Sequence, residues 1–332
     1  AETLPETWGG TKRFTKAVAY ALLTRVGLYA ERWDVVIDAA KKCEELGCTL
    51  AQDYAKLFSD SSNPEHIFAV DFLTNKMTHR ADMFFRPIGD SKYHSNNTIF
   101  GAICPTSELV DSYEMADGSE FSWEKHGTVP YVNREPRFYA SILYDGARWE
   151  GRTIETHEGG EDGIGKFQTN GTAGTTTTGY YFRKFITEGD YTWETNGSAH
   201  FATFIRYAEV LLNKAEACYQ TKDLTGANDC VKAIRTRVGL PYTDKAGSDL
   251  WNAIRQERKV ELAMEGFWYW DLRRWGDAHK DYPTGLSNYQ QHGLKIEVDS
   301  DGKFVYSYVS VDDKNRNFPE KLYRFPMSER EY

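Results

Sequence analysis

The sequence predicts a mostly α-helical protein, in which a helical-repeat scaffold carries a long irregular, partly β insertion. Three observations lead to this fold class. Two pairs of amphipathic helices share an apolar pattern, a Gly-rich and aromatic stretch separates them, and further helical segments follow. The 332 residues can bury a core without disulfides or metal ions, and we expect a single domain over 1–332.

The first helix pair is predicted at 14–50. Its first helix, at 14–31, places apolar side chains on one face, at Val18, Leu22 and Val26. Its second helix, at 34–46, has Asp34 as the expected N-cap and Gly47 as the expected stop.

A second pair is predicted at 204–240, as helices at 204–221 and 225–237. Shifting the first pair by 190 residues superposes four positions: Phe14 on Phe204, Leu22 on Leu212, Tyr29 on Tyr219 and Leu50 on Leu240. Each unit is close to the roughly 34 residues of a tetratricopeptide repeat, so we predict a tetratricopeptide-like scaffold. Two units alone leave open that they are ordinary amphipathic helix pairs.

An irregular insertion, 60–200, lies between the pairs and is rich in Gly, Asn, Asp, Ser, Thr and aromatic residues. Short strand-like pieces are predicted at 66–72 and 137–146, and the composition of 169–181 is that of a mobile loop. Because so long an irregular stretch is rare in a compact domain unless it has a function, we expect it to carry the binding surface.

The C-terminal part, 249–332, is predicted to contain helices and a β-hairpin. The first helix covers 249–265, and the hairpin covers 294–309 with its turn at Ser300-Asp301-Gly302.

Net charge is −9, so nucleic acid is a poor partner. The five cysteines fit neither a disulfide framework nor a zinc site, and no catalytic or nucleotide-binding motif is present. We therefore expect no cofactor, no metal ion and no catalytic residue.

A row of carboxylates on the 249–265 helix needs an interpretation. Glu257, Glu261 and Glu265 recur every four residues and share one face. Paired carboxylates are typical of glycoside hydrolases, but there an acid and a nucleophile flank the scissile bond, whereas one helix face puts all three on the same wall. We interpret them as a structural ion-pair network with nearby arginines: Arg235, Arg237, Arg273 and Arg274.

Aromatic residues make up 14% of the chain, and tryptophan and tyrosine suit sugar faces and protein interfaces. Candidate ligand-binding residues in the insertion combine rings with amide and guanidinium groups: Phe85, Arg86, Tyr93, Asn96, Asn97, Trp123, Trp149 and Trp193. Loop packing is the alternative for each. A dense patch, 268–270 with Trp275, is interpreted as core packing beside the glutamate helix, with a sugar platform as the alternative.

Seven stretches together resemble the SusD/RagB family of outer-membrane nutrient-uptake lipoproteins. They are LVDSYEMADG (109–118), NREPRFY (133–139), RYAEVLLNKAEA (206–217), IRTRVGLP (234–241), ERKVELAMEG (257–266), WDLRRWG (270–276) and LYRFPM (322–327). The stretches follow the order of the family's motifs and cover nearly the whole chain. On this resemblance, we expect that the family's N-terminal portion, with its lipidated cysteine and first repeats, is missing from this sequence.

The resemblance implies a scaffold of four tetratricopeptide-like units, of which about two remain. It also implies a glycan-binding protein at the cell surface, on the outer membrane, that delivers its ligand without catalysis to a SusC-like TonB-dependent transporter. Membrane attachment is then expected only through the N-terminal lipid anchor. A glycoside hydrolase on a helical scaffold and a scaffold that binds only protein are the alternatives.

Overall fold

The structure is a computed structural model that describes residues 1–9, 13–93, 99–164 and 176–324. Helices dominate it, which confirms the predicted mostly helical fold. They are α1 (Lys16–Tyr29), α2 (Trp33–Glu45), α3 (Tyr54–Leu57), α4 (Ala81–Phe85), α5 (Ser107–Val110), α6 (Trp123–His126), α7 (Pro136–Ser141), α8 (Trp193–Asn196), α9 (Tyr207–Gln220), α10 (Leu224–Arg237), α11 (Gly247–Glu261) and α12 (Trp268–Arg274). Short 3₁₀ segments lie at Ile88–Lys92 and Glu320–Tyr323.

The strands are short, and those of the described residues pair as four separate antiparallel two-stranded ladders. They are β1 (His66–Val70) with β6 (Ala202–Arg206), β2 (Ile142–Leu143) with β5 (Tyr181–Phe182), β3 (Arg148–Trp149) with β4 (Arg152–Thr153), and β7 (His292–Val298) with β8 (Phe304–Ser310). Within the described ranges no helix has both the length and the apolar composition that a bilayer span requires.

Two helix pairs, α1–α2 and α9–α10, form the scaffold, and α9 lies at its centre because it contacts α1, α2, α10 and α11. Small side chains lie fully buried in these helices: Ala40, Ala215 and Ala227. Gly27 of α1 permits a close approach of α2, because a Cβ there would lie 2.9 Å from Cγ2 of Val36. Small residues at helix crossings let the two pairs pack closely.

The apolar face predicted for α1 is only partly correct. Val18 is buried, but Leu22 is 37% exposed and Val26 is 54% exposed. The buried side of α1 instead runs through small residues such as Ala21 and Gly27. In the second pair, the superposed Leu212 is fully buried. The difference arises because α9 is surrounded by other helices, whereas α1 contacts the scaffold on one side.

The ends of the helices correct several predictions. Helix α2 begins at Trp33 with Arg32 at its N-cap, so Asp34 is not the cap, although Gly47 follows the end of α2 with φ +82° as expected. Helix α9 begins at Tyr207 rather than at 204, because the preceding residues form β6. Helix α11 ends at Glu261, four residues before the predicted end.

Aromatic and aliphatic side chains of the insertion form one core of their own and share a second core with α11 and β7. One core contains Trp149, Tyr181 and Trp193, and another contains Tyr113 and Phe138. The extended piece predicted at 137–146 is wrong in its first half. Because Pro136 starts a helix well, 136–141 form α7 before β2 begins. Residues 165–175, which include most of the predicted loop, lie outside the described residues.

The predicted C-terminal hairpin is present as β7–β8. Its register pairs His292 with Ser310 and Val298 with Phe304. The turn uses the predicted Gly302, which has φ +78°, and the Gly302 N–H donates to the carbonyl of Asp299 at 3.0 Å. A left-handed backbone conformation of this kind favours glycine.

Candidate functional site

The carboxylates of α11 are buried and fully engaged by arginines. Glu261 accepts hydrogen bonds from Arg206 at 2.7 Å and from Arg237 at 2.5 Å. Glu257 accepts from Arg235 at 2.7 Å. Arg137 joins the two carboxylates, since its Nη1 lies 2.6 Å from Glu257 and 3.1 Å from Glu261. Both glutamates are at most 1% exposed.

Glu265 lies just beyond the end of α11 and belongs to the same network. It accepts hydrogen bonds from Arg206 and Lys184, each at 2.7 Å. Lys184 also donates to the main-chain carbonyl of Ala263 at 2.8 Å. Burial lowers the pKa of Lys184 to about 8, although Glu265 favours its charged form. The row of glutamates therefore holds several segments together.

The electrostatics of Glu261 follow from its partners. Burial on its own would raise the pKa of this carboxyl, but Arg237, Arg206 and Arg137 together hold its pKa well below the usual value. Glu261 is thus an ionised acceptor. A general acid of a glycoside hydrolase needs the opposite, a raised pKa and access to a glycosidic oxygen. The arrangement of these residues favours a structural role.

Two of the arginines expected in this network lie elsewhere. Arg273 donates to the main-chain carbonyls of Leu322 at 2.7 Å and Tyr323 at 2.9 Å, and Arg274 donates to Glu216 and to Asp271. The expectation that Arg273 and Arg274 pair with the glutamate row is therefore wrong. The cause is local, because the chain leaves α11 after residue 261 and turns at 262–266 before α12 begins.

An open cleft in the insertion contains one of the predicted binding residues. We call it the Tyr93 cleft, and it has a volume of about 520 Å³. It is lined by Asp90, Tyr93, Glu150, Gly151, Arg152, Tyr191 and Glu194. Tyr93 is 65% exposed and Tyr191 is 47% exposed. The cleft therefore offers two phenol rings next to carboxylate and guanidinium groups.

The side chain of Tyr191 is held in position by Glu150. The Tyr191 hydroxyl donates to Glu150 Oε2 at 2.7 Å, and Arg86 donates to Glu150 Oε1 at 2.9 Å. Burial raises the pKa of Glu150, but these two hydrogen bonds, the charge of Arg86 and the Gly189 N–H together keep the pKa below the usual value. Glu150 is therefore an ionised acceptor at neutral pH.

Arg86 supports the cleft from beneath. It is fully buried, donates to Asp82 at 3.0 Å and to the main-chain carbonyl of Thr187 at 2.9 Å, and reaches Glu150 as described. Its guanidinium carbon lies 5.4 Å from the ring centroid of Trp149 and 5.1 Å from that of Trp193. A cation between two indole rings fixes the floor of the cleft.

A second set of charges fixes one wall. Arg152 donates to Asp90 at 2.6 Å and to Asp162 at 2.7 Å, and Asp162 accepts the Gly89 N–H at 3.0 Å. Trp149 Nε1 donates to the other oxygen of Asp90 at 2.9 Å. Burial keeps the pKa of Asp90 above its usual value in spite of Arg152. These bonds join the 3₁₀ segment at Ile88–Lys92 to β3 and β4.

The predicted binding residues fall into different places. Tyr93 lines the cleft, whereas Arg86, Trp149 and Trp193 are at most 1% exposed, so their burial argues against the expectation that they contact a ligand directly. They form the floor instead. Two further candidates, Asn96 and Asn97, lie outside the described residues.

Phe85 and Trp123 are separate from the cleft. Phe85 is half-buried beside Phe182, with ring centroids 6.3 Å apart. Trp123 is half-buried near the C-terminal hairpin, where its Nε1 donates to Asp111 at 3.0 Å and its ring lies 5.7 Å from that of Tyr306. The structure does not bring these two residues together with Tyr93.

Several residues of the cleft were not predicted from the sequence. Tyr191, Glu150 and Arg152 come from parts of the chain that are far from Tyr93 in sequence. A periodic pattern reports only which face of one element is apolar, so no spacing in the sequence marks these three residues as neighbours.

Comparisons with known proteins agree on a family. The model of the SusD family matches residues 64–332. No curated protein matches the sequence. A solved SusD-like protein from Bacteroides fragilis superposes with a TM-score of 0.81 at 27% identity, and the match covers 99% of this chain and 66% of that one.

Two further solved structures show the same fold. A SusD-like carbohydrate-binding protein from Bacteroides fragilis has a TM-score of 0.76 at 25% identity, with 98% of this chain and 64% of that chain covered. Surface glycan-binding protein A from Bacteroides thetaiotaomicron has a TM-score of 0.62 at 19% identity, with 91% and 60% covered. This chain therefore spans just under two thirds of the length of the first two structures.

Proposed function

Since this chain belongs to the SusD family, whose model matches more than half of its residues, we propose that it binds a glycan at the bacterial cell surface without cleaving it. The Tyr93 cleft is the proposed site. The observation that carries the proposal is the pair of exposed rings, Tyr93 and Tyr191, beside the charged groups of Glu150 and Arg152 in one cleft.

The chemistry of the cleft suits a sugar. A phenol ring presents a flat face to the C–H groups of a pyranose, and carboxylate or guanidinium groups hydrogen-bond its hydroxyls. The hydrogen bond from Tyr191 to Glu150 and the two carboxylates on Arg152 place these groups before a ligand arrives. Pre-positioned side chains lower the entropy cost of binding.

The charges of the cleft favour binding over hydrolysis. Glu150 has a lowered pKa, which suits an acceptor rather than a proton donor to a leaving group. Burial raises the pKa of Asp90, but Asp90 is 1% exposed and its two oxygens accept from Arg152 and Trp149, so it is poorly placed to protonate a glycosidic oxygen. The α11 glutamates, whose carboxylates are already engaged by buried arginines, point the same way. These features support a protein that leaves glycosidic bonds intact.

The wider role follows from the family. We propose that the full-length protein is lipid-anchored in the outer membrane and passes its glycan to a SusC-like TonB-dependent transporter. The support is family membership, together with the solved relative described as a SusD-like carbohydrate-binding protein. Isolation of the full-length protein from its own outer membrane, followed by identification of co-purifying proteins, tests this. Recovery without any TonB-dependent transporter contradicts the partnership.

Affinity electrophoresis against a panel of plant and host polysaccharides tests glycan binding. We expect retardation by at least one polysaccharide. Tyr93→Ala and Tyr191→Ala should each weaken binding about fivefold to tenfold, as expected for the loss of one stacking contact of roughly 1 kcal/mol. Tyr191→Phe should keep most of the affinity, because it keeps the ring.

Tyr29→Ala is the matched control, since Tyr29 is 50% exposed on α1 and lies outside the cleft. Equal losses in Tyr29→Ala and Tyr93→Ala would contradict the site. Retardation by no polysaccharide would favour a scaffold that binds only protein. Release of reducing ends by the purified chain would favour a glycoside hydrolase. A loss of that activity in Glu257→Gln would identify its carboxylate only if the variant keeps the circular dichroism spectrum and Tm of the wild type.

A further inference from the structure

A second cleft lies at the other end of the chain, where α11 and α12 meet the segment before β7. We call it the Trp270 cleft, and its volume is about 650 Å³. Its lining is rich in rings, including Trp268, Tyr269, Trp270, Tyr282, Tyr289 and Phe318. Of the dense aromatic patch interpreted from the sequence as core packing, residues 268–270 line this cleft, whereas Trp275 does not.

Three of the rings are accessible. Tyr269 is 44% exposed, Trp270 is 40% exposed and Tyr282 is 41% exposed. Tyr282 stacks on Tyr289 with ring centroids 5.0 Å apart and an interplanar angle of 22°, so Tyr289 backs the exposed Tyr282 ring and holds it in one orientation. Exposed aromatic surface gathered in a concave site is typical of ligand binding rather than of ordinary protein surface.

Lys259 supplies a cation in the same cleft. Its Nζ lies 3.4 Å from the main-chain carbonyl of Glu108 and 5.5 Å from the ring centroid of Trp268. Among the described residues no carboxylate forms a salt bridge with it, in contrast to Lys184, which pairs with Glu265. Burial lowers the pKa of Lys259 to about 8, while Glu108 and Asp111 oppose that shift from a distance.

The other charged groups of the cleft already have partners. The Glu108 carboxylate accepts from the main-chain N–H of His292 at 3.0 Å and lies 2.7 Å from its Nδ1. Arg316 donates to Gln291 at 3.0 Å and to Asp312 at 2.8 Å. An anionic ligand in this cleft would therefore form its salt bridge with Lys259, because a buried positive charge is stabilised by a charged acceptor.

We propose that the Trp270 cleft binds an acidic sugar, a pyranose whose ring lies against the exposed aromatic side chains and whose carboxylate pairs with Lys259. This inference rests on the proposed glycan-binding function and adds to it a second site with a preference for charge. An acidic peptide is the competing ligand class. The exposed Tyr282 ring, backed by Tyr289, favours the sugar, because one fixed aromatic face matches a pyranose face, whereas peptide recognition commonly relies on main-chain hydrogen bonds.

Calorimetry with matched ligands tests the proposal. The probes are tetragalacturonate with its carboxyl-reduced counterpart, and 3′-sialyllactose with lactose. We expect at least one acidic member to bind the intact chain about tenfold or more tighter than its neutral partner, as for one charge-assisted hydrogen bond. Lys259→Gln should remove this preference, and Trp270→Ala should weaken the binding of the acidic ligand. Lys280→Gln is the control, because Lys280 is exposed and pairs with Asp277.

The outcomes separate this inference from the proposed function. Equal affinity for acidic and neutral partners, a preference that persists in Lys259→Gln, or binding of neither acidic probe would overturn the inference and leave binding at the Tyr93 cleft standing. Loss of acidic binding in Tyr93→Ala but not in Trp270→Ala would also overturn it. If an acidic hexapeptide bound as tightly as the acidic saccharide, the cleft would be assigned to peptides instead. Failure of the whole polysaccharide panel, or release of reducing ends by the purified chain, counts against the proposed function itself.

Discussion

Replacement of Glu261 by glutamine should destabilise the protein strongly without removing volume. Glu261 accepts from Arg206 at 2.7 Å, from Arg237 at 2.5 Å and from Arg137 at 3.1 Å, and it is fully buried. Glutamine keeps one acceptor oxygen but turns an NH₂ group toward one of these guanidinium donors. At least one buried arginine then loses its charged acceptor.

The size of the effect follows from the cost of breaking a buried ion pair, which is about 3–5 kcal/mol when one partner is removed. Other acids remain near the arginines, since Glu65 and Glu257 contact Arg206 and Arg137, so the lower half of that range is expected. Unfolding entropy of about 2.1 cal/mol/K per residue corresponds to roughly 0.7 kcal/mol/K for a chain of this length, so Tm should fall by about 4–6 °C.

Urea denaturation at pH 7, followed by circular dichroism, measures the loss. The control is Glu45→Gln, the same substitution at an exposed pair on α2 in which Lys42 lies 2.6 Å from Glu45. An exposed pair is worth at most about 1 kcal/mol, so the control should lose little stability. If Glu261→Gln loses less than about 1 kcal/mol, or no more than Glu45→Gln, the network is not what holds these segments together.

Three further predictions concern pH, backbone space and the floor of the cleft. The pKa of Glu261 is lowered in the folded protein, so its ionised carboxylate stabilises the fold above pH 4.5, the usual pKa of a glutamate. This stabilisation is lost as pH falls through the folded-state pKa. The difference in unfolding free energy between wild type and Glu261→Gln should therefore shrink in urea titrations below about pH 4. Gly179→Ala should cost about 3 kcal/mol or more in the same assay, because a Cβ there would lie 2.2 Å from a main-chain oxygen of β7 and φ is +75°, whereas Gly302→Ala, with open space, should cost only about 1 kcal/mol. Arg86→Met should cost about 3–5 kcal/mol by leaving buried carboxylates unpaired, whereas Tyr93→Ala should stay within about 0.5 kcal/mol of wild type, and equal losses would contradict the separation of floor from surface.

The helices and the hairpin could be predicted because their signals are local. Helices α9 and α10 each repeat apolar residues with a helical period, and the β7–β8 hairpin has a Gly302 turn between alternating residues. The start of α9 could not be placed, since Phe204 and Ile205 continue the helical pattern yet lie in β6, where Ile205 pairs with Phe68 of β1. Strand pairing over more than 130 residues depends on tertiary contacts that local spacing does not encode.

The candidate site was harder to predict than the fold. Residue type identified Arg86 and Trp149 as chemically suitable, but suitability does not reveal burial, and both lie beneath the surface that they support. Tyr93 was chosen because it is an aromatic residue in a polar stretch of the sequence, and in the structure it lines the cleft. Its partner Tyr191 carried no signal beyond being a tyrosine, because only the fold brings the two into one cleft.

The buried charges explain how an irregular insertion can present a defined surface. Glu65 and Arg137 belong to the insertion, and Glu261 belongs to the scaffold helix α11. Apolar contacts tolerate sliding, whereas guanidinium–carboxylate pairs require one orientation, so the network fixes how the insertion lies on the helices. Lys184 extends this link, because it pairs with Glu265. Three residues further along the chain, the main-chain carbonyl of Thr187 accepts a hydrogen bond from Arg86, which lies beneath the Tyr93 cleft. The ionisation that makes Glu261 unsuitable as a general acid therefore also fixes how the insertion lies on the helical scaffold.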